Sequence, residues 1–408
     1  MRDINDIIKS QIVRKEQGQK PITLLAVCPN SSAVLEAAVK AAARNHSIML
    51  FAATLNQVDV EASYTGWTPA DFVHQMQLLA EKYRWSGSLY PCLDHGGPWL
   101  KDQHTLAKLS YSETLEKVKK SINACIQAGY KLLHIDPTVD RTLPINQPIP
   151  LELVVDRTVE LIAHAEQTRY AIGLPKIAFE VGTEEVHGGL VDVDRFTDFI
   201  NLLQIQLTKK NLNECWPCLF VAQIGTDLHT TIFNPQAARN LYSILVPYGS
   251  MVKGHYTDWV ENPEYYPITG MGAANVGPEF TAEEYIALTE LERLEREYIN
   301  RLHIQPSNFI ETLQNVVVES GRWEKWLLPD EVGLDFRDLS AARKEWLFKT
   351  GARYIWTNDR VVAARNSLYK NLTNYAGDPH AYIVERISKK VEKYIKAFNL
   401  QNSMDILE

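Results

Sequence analysis

Residues 22–54, ITLLAVCPNSSAVLEAAVKAAARNHSIMLFAAT, decide the fold class. The run 22–29 is apolar on both alternating faces. A stretch with apolar residues at helical spacing follows, opening on a serine pair, and a second doubly apolar run closes it at 47–54. Strands apolar on both faces belong to a parallel sheet, and a parallel pair needs a crossover of helical length. The serines are good helix starters because their side-chain oxygen takes a free backbone N–H.

The same alternation continues down the chain. Further short runs are SLYPCLDH (88–95), KLLHID (131–136), KIAFEVGTE (176–184), CLFVAQIG (218–225), SMVKGHY (250–256) and GMGAANVG (270–277). Amphipathic stretches such as PADFVHQMQLLAEKYR and SETLEKVKKSINACIQAG separate them. The pattern predicts an α/β protein, a (β/α)8 TIM barrel over residues 1–300. A doubly wound open sheet is the alternative, but no GxGxxG follows the first strand. Beyond 300 no strand pattern is left, and residues 301–408 are expected to form a helical C-terminal extension, rich in Trp and Tyr, packed on the barrel or at an interface.

The 408 residues are 45% hydrophobic and 23% charged with a net charge of −8, the composition of a globular protein without a nucleic-acid footprint. No apolar run is long enough for a membrane span, and the charged start MRDINDIIKSQIVRKEQ does not have the form of a signal peptide. The five cysteines are odd in number and scattered, which points to a reducing cytoplasm. Cys215 and Cys218 form a CxxC with no second pair to complete a zinc site, so they read as a loop entering a strand.

In a βα-barrel the active site lies at the C-terminal ends of the strands. Asn56 and Gln57 follow the second run, Asp94 and His95 end the third, His134 and Asp136 the fourth, and Glu180 and Glu184 the fifth. The sixth offers Gln223, Asp227 and His229, the seventh His255 and Asp258, and the eighth Asn275. His95, His229 and His255 with nearby carboxylates have the composition of a divalent-metal site, and Asp94 is placed to move a proton. His134 is expected in the core. Glu180 alternates with Phe179 and is expected to face the helices, leaving Glu184 as the better ligand. Asp136 could simply cap a turn, Asn56 and Gln57 could bind backbone, and His74, His104 and His187 are expected at the surface.

These residues resemble a known family. CLDHGG (92–97) is similar to the LDHG motif of class II ketose-bisphosphate aldolases, and the closer resemblance is to the Z-subunit family of class II tagatose-1,6-bisphosphate aldolases. It is carried by ATLNQVDVEASYTGWTPADFV (53–73), LDHGGP (93–98), HID (134–136), VGTEEVHGG (181–189), QIGTDLH (223–229), GHYTDW (254–259), GAANVGPEFT (272–281) and ARYIWTNDRV (352–361). The resemblance implies His95, His229 and His255 as metal ligands, Glu184 as a fourth ligand and second catalytic carboxylate, and Asp94 as the acid/base residue. It also implies Asn56, Gln57, Asp136, Asp258 and Asn275 as contacts to sugar hydroxyls. Zn2+ suits the histidine count, and Mn2+ or Co2+ would suit the same donors.

One departure bears on substrate. The catalytic aldolases follow their last zinc histidine with a Gly- and Ser-rich phosphate loop, whereas His255 is followed by YTDW. An aspartate there disfavours phosphate at that end. The expectation is a metal-dependent enzyme doing retro-aldol chemistry on a ketose or ketose phosphate, by aldol cleavage or C4 epimerisation. The alternative is a non-catalytic accessory subunit of a separate class II aldolase chain. A homo-oligomer in the cytoplasm is expected, without nucleic-acid or membrane partners.

Overall fold

The computed structural model describes residues 2–407 apart from 62, 145–146, 184–188 and 303, and without the side chains of 300–302, 374 and 376. Eight parallel strands close into a barrel in sequence order: β1 (Leu24–Val27), β2 (Met49–Thr54), β3 (Leu89–Gly96), β4 (Leu132–Ile135), β5 (Ala178–Gly182), β6 (Leu219–Val221), β7 (Met251–Gly254) and β8 (Met271–Val276). β8 returns to pair with β1 through Leu24–Val27 against Ala273–Val276. The barrel predicted from the alternating runs is therefore the observed fold.

Local chemistry fixes where the outer helices begin. Ser31 accepts from the Val34 N–H at the start of helix Ser32–Asn45. Helix Pro69–Lys82 opens on a Thr68/Asp71 capping box with Pro69 in its first turn, and helix Tyr111–Gln127 on a Ser110/Glu113 box. Each satisfies backbone donors that a helix start otherwise leaves open, an effect of about 1 kcal/mol per cap. Their inner faces join the strands' outward residues in one continuous apolar core.

The C-terminal chain lies on this barrel. Helix Pro379–Ala397 buries Ile383, Val384, Ile387, Val391 and Ile395, a stripe at helical spacing that joins the same core as the barrel. Its outer face is tied by Glu385 to Lys40 and Arg44, and Tyr394 donates to the Thr257 carbonyl behind β7. Short 3-10 turns at Arg322–Trp326 and Ala352–Tyr354 form a roof over the C-terminal ends of the strands. Trp323 of the first turn joins Phe336, Leu339 and Leu347 in a satellite apolar cluster. Among the described residues no helix is long and apolar enough to cross a membrane.

Candidate functional site

The barrel mouth and its roof enclose a cavity of about 570 Å³, within the range of small-molecule sites. At its floor, inward-pointing residues of successive strands meet. Strand periodicity puts His134 and Asp136 on one face of β4 and Lys253 and His255 on one face of β7. On β3 the alternation breaks. The pairing with β4 jumps from Leu93↔Leu133 to Gly96↔Ile135, so two residues of β3 stand opposite His134. His95 absorbs the irregularity with a left-handed φ of 50°. This conformation costs a side-chain-bearing residue of the order of 1 kcal/mol. Its effect is that both Asp94 and His95 reach the mouth.

Gly97 makes the bend fit. A Cβ there would lie 1.7 Å from the Asp136 carbonyl oxygen, so the β3 loop could not pass β4 so closely with any other residue.

Asp94, His95, His134 and His255 each present a ligand atom within 4.8 Å of the others. His95 Nδ1 sits 2.6 Å from Asp136 Oδ2, which orients the ring and leaves Nε2 facing Asp94 at 4.0 Å. His134 Nδ1 accepts the His95 backbone N–H at 3.1 Å and lies 3.4 Å from Asp94 Oδ1. His255 Nε2 is 3.3 Å from Glu180 Oε1 and 3.7 Å from Asp94 Oδ1. Below them Lys253 Nζ donates to Glu180 Oε2 at 2.7 Å and stands 3.8 Å from Asp94.

Charge explains the state of each group. Burial penalises Asp94, but the neighbouring His95, His255 and Lys253 outweigh it and hold the carboxyl well below its usual range. Burial is likewise outweighed at Glu180, chiefly by Lys253, which leaves it at about 2. Burial pulls His255 down to about 4, so it is neutral and able to ligate. At His95 burial is overcome by Asp94 and Asp136, which hold it up at about 9. Asp94, Asp136 and Glu180 thus face one ammonium, Lys253, and the carboxylate excess draws a proton to His95. A divalent cation would displace the His95 proton, and the three imidazoles beside Asp94 would then form a donor set that fits it, with Asp136 as the outer carboxylate such histidines usually carry.

The predicted residues fall into distinct places. Asp94, His95 and His255 meet in the cluster. His229 lines the cavity but stands on its exposed rim, its ring 4.9 Å from that of Trp346. It belongs to a turn capped by Asp227, eight residues past the end of β6. Glu184 lies outside the described residues. Glu180 does not face the helices as expected: register with His134 on β4 turns it into the barrel. His134, expected in the core, is buried but presents Nδ1 to the cluster. His104, expected at the surface, is buried in the short helix Asp102–Leu106 that follows β3. Lys253 was not singled out at all, although a lysine two residues before His255 in a buried strand shares its face.

Among the predicted sugar contacts, Asn275 donates to Asp94 Oδ2 at 3.1 Å and keeps a buried Oδ1 with no partner among the described residues. Asn56 bridges the Leu100 carbonyl and the Asp102 N–H. Both ends of the Gln57 amide are engaged, with Thr54 N–H and with Asn30. Asp258 Oδ1 accepts the Gly277 N–H at 3.0 Å and the Glu279 N–H at 2.7 Å, the donors at the start of helix Pro278–Leu302. Burial pushes this carboxyl up to about 7. Cys215 and Cys218 are buried free thiols away from the mouth, and burial drives Cys215 up to about 12.

With this geometry in place, comparison with known proteins assigns the chain. Residues 9–406 match the sequence model of the family described as "D-tagatose-1,6-bisphosphate aldolase subunit GatZ/KbaZ-like", and the chain belongs to that family. It is 25% identical over 392 residues to the D-tagatose 6-phosphate 4-epimerase of Agrobacterium fabrum, covering 90% of this chain and 87% of that one. It is similar in structure to a "probable tagatose 6 phosphate kinase" from Sinorhizobium meliloti, with TM-score 0.78, 19% identity, and 92% and 100% of the two chains covered. The fructose-bisphosphate aldolase of Campylobacter jejuni superimposes with TM-score 0.55 at 14% identity, over 98% and 96% of the chains.

Proposed function

From that membership and the geometry of the mouth, we propose that the chain is a metal-dependent 4-epimerase acting on a ketohexose that carries no phosphate at the end facing β8. The observation that carries this reading is Asp258. In βα-barrels the last two loops and a helix N-terminus commonly bind phosphate. Here the Asp258 carboxylate already occupies the Gly277 and Glu279 donors. A phosphate at that end would find these donors already taken.

His95, His134 and His255 are the residues that would hold the cation. A divalent ion bound there would supply Lewis acidity at the ketose carbonyl. Asp94, ionised and positioned by Asn275, takes the proton of the C4 hydroxyl. The C3–C4 bond then breaks, its electron pair stays with C3, and C4 becomes an aldehyde carbon. Rotation of the aldehyde presents its other face to C3. The bond re-forms, Asp94 returns the proton, and C4 is inverted with no net redox change. Asn275 Oδ1 is free to accept a sugar hydroxyl and hold the C1–C3 fragment through the step. The roof keeps the aldehyde fragment from escaping, which separates epimerisation from cleavage.

The test has two readouts. Chelator-free protein should carry about one metal per chain, lost in His95→Ala, His134→Ala and His255→Ala and kept in His229→Ala. By NMR, D-tagatose 6-phosphate should convert to its C4 epimer without release of a triose. Accumulated triose phosphate would make the protein an aldolase. A chain inert towards every ketose, with no metal after zinc is supplied, would refute the catalytic reading and favour the accessory subunit.

A further inference from the structure

The roof of the cavity holds a buried cation with no direct ion pair among the described residues. Arg353 is only 5% exposed and lines the cavity, yet it pairs with no carboxylate among the described residues. Its guanidinium lies 4.6 Å from the Trp326 ring centre and 4.8 Å from that of Tyr354. One terminal nitrogen, Nη2, donates to the Tyr354 hydroxyl at 2.9 Å, and the same oxygen receives the Trp326 indole N–H. The other, Nη1, is buried and has no hydrogen-bond partner among the described residues. A buried donor left unsatisfied is costly, and a buried unpaired charge more so. The other cations of the roof are answered, since Arg322 and Lys325 share Asp102. Arg353 is not.

We propose that Arg353 anchors a terminal anionic group of the substrate, a phosphate monoester or a carboxylate at the end of the ketose remote from the reacting C3–C4 bond. The inference rests on the reading of the mouth as a ketose site and adds to it which end carries charge. The Asp258 carboxyl, which feels the Arg353 charge, already takes the Gly277 and Glu279 donors at β8, while Nη1 of Arg353 stays open, so the donor left for an anionic end lies on the roof side. A planar guanidinium with its fork pre-set by Trp326 and Tyr354 suits either group through paired N–H donors. Arg322 and Lys325, held by Asp102, stand by as a second positive edge. The C-terminal ARYIW segment then acquires a role: it brings Arg353 to the barrel and thereby reads the substrate's tail.

The experiment is calorimetric binding to metal-loaded protein, in wild type and in Arg353→Gln and Arg353→Lys. The probes are D-tagatose 6-phosphate, D-tagatose, D-tagaturonate and inorganic phosphate. Circular dichroism and thermal melts keep only folded variants in the comparison. Loss of a charge-assisted hydrogen-bonded pair should weaken the preferred anionic ketose by about 10- to 100-fold in Arg353→Gln. D-tagatose should change by less than about twofold, with Arg353→Lys intermediate. Preference for the 6-phosphate or for the uronate identifies the anion. Equal loss for neutral and anionic ketoses would make Arg353 a packing residue and overturn the proposal, as would unchanged binding of both anionic ketoses. If no ketose binds but inorganic phosphate does, and Arg353→Gln abolishes that, the anion site stands and the ketose reading falls. If ketoses turn over with no preference for a charged end, the anion site falls and the ketose reading stands.

Discussion

Lys253→Met tests the electrostatic floor of the site. Lys253 and Glu180 are both 0% exposed and 2.7 Å apart, so neither charge has water to fall back on. Removing one partner of such a pair costs about 3–5 kcal/mol, because the survivor is left as an uncompensated buried ion. One neighbour softens the loss here. His255 Nε2, 3.3 Å from Glu180 Oε1, can share a proton with the stranded carboxylate. The expected cost therefore lies near the lower bound, about 3 kcal/mol. It is to be read as the shift in urea unfolding of chelator-treated protein, where no cation takes the place of the ammonium. Glu180→Gln alone strands Lys253, whose remaining carboxylate, Asp94, is 3.8 Å away. The double variant Lys253→Met/Glu180→Gln removes both charges and should recover most of the loss, giving a coupling of about 2 kcal/mol or more. A single-variant cost below about 1 kcal/mol, or costs that simply add, would show that the pair is hydrated and refute the charge balance drawn for the mouth.

Three further outcomes are expected. Asp94→Asn should retain metal held by the three histidines while epimerisation falls by about 100- to 10,000-fold, the range for loss of a positioned proton carrier; parallel metal analysis and NMR turnover assays check it. Gly97→Ala places a methyl against the Asp136 carbonyl, so it should cost about 1–3 kcal/mol and, by pushing β3 from β4, lower metal content as well; a soluble variant with wild-type melting and metal content would count against the close approach. Glu36 is drawn from 4.5 to about 2, burial being outweighed by hydrogen bonds from His380, Lys82 and Tyr83. Because its folded value is depressed, its contribution is present above about pH 4.5 and lost as pH falls towards 2. The shift bounds it at about 3 kcal/mol, and the half-exposed Lys82 and His380 reduce that to about 1–2 kcal/mol. Glu36→Gln should be destabilised by that amount at pH 7, with the gap closing below pH 3 in urea titrations.

The barrel was legible because its signal is repeated: doubly apolar runs alternating with capped amphipathic stretches leave few other ways to bury both faces. The site was legible where a residue sits on or next to a strand, and less so beyond it. His95 and His255 follow directly from their strands, and the glycine pair after His95 marks the bend that lets it point inward. Glu180 was misjudged because a doubly apolar strand gives no internal sign of which alternating face is inner. Only cross-strand register, Glu180 opposite His134, decides it. His229 was read as a strand-end residue because the apolar run 218–225 is longer than the three-residue strand within it, Leu219–Val221. The extra residues form a loop that carries the imidazole out to the rim. Lys253 shows the opposite failure, a plain signal passed over, since a charged residue inside a buried strand must find a partner.

The two ends of the cavity follow from one physical requirement. A sugar site must hold charge where the substrate has it and nowhere else, since each buried ion without a partner is costly. At β8 the chain meets the helix N-terminus with its own carboxylate, so those donors are satisfied before any ligand arrives. At the roof it leaves one guanidinium nitrogen unsatisfied. The first arrangement stabilises the empty protein and the second destabilises it. On the Arg353 proposal, a ligand bringing an anion to the roof would repay the second, and selectivity would follow from that difference. On these proposals the helical extension is part of the site rather than an addition to it: the barrel would supply the cation-binding floor and Asp94, and residues 322–354 would select which ketose lies across them. Replacing Arg353 should therefore alter which ketose binds and leave the metal in place, whereas replacing His134 should remove the metal and leave the preference of the roof intact.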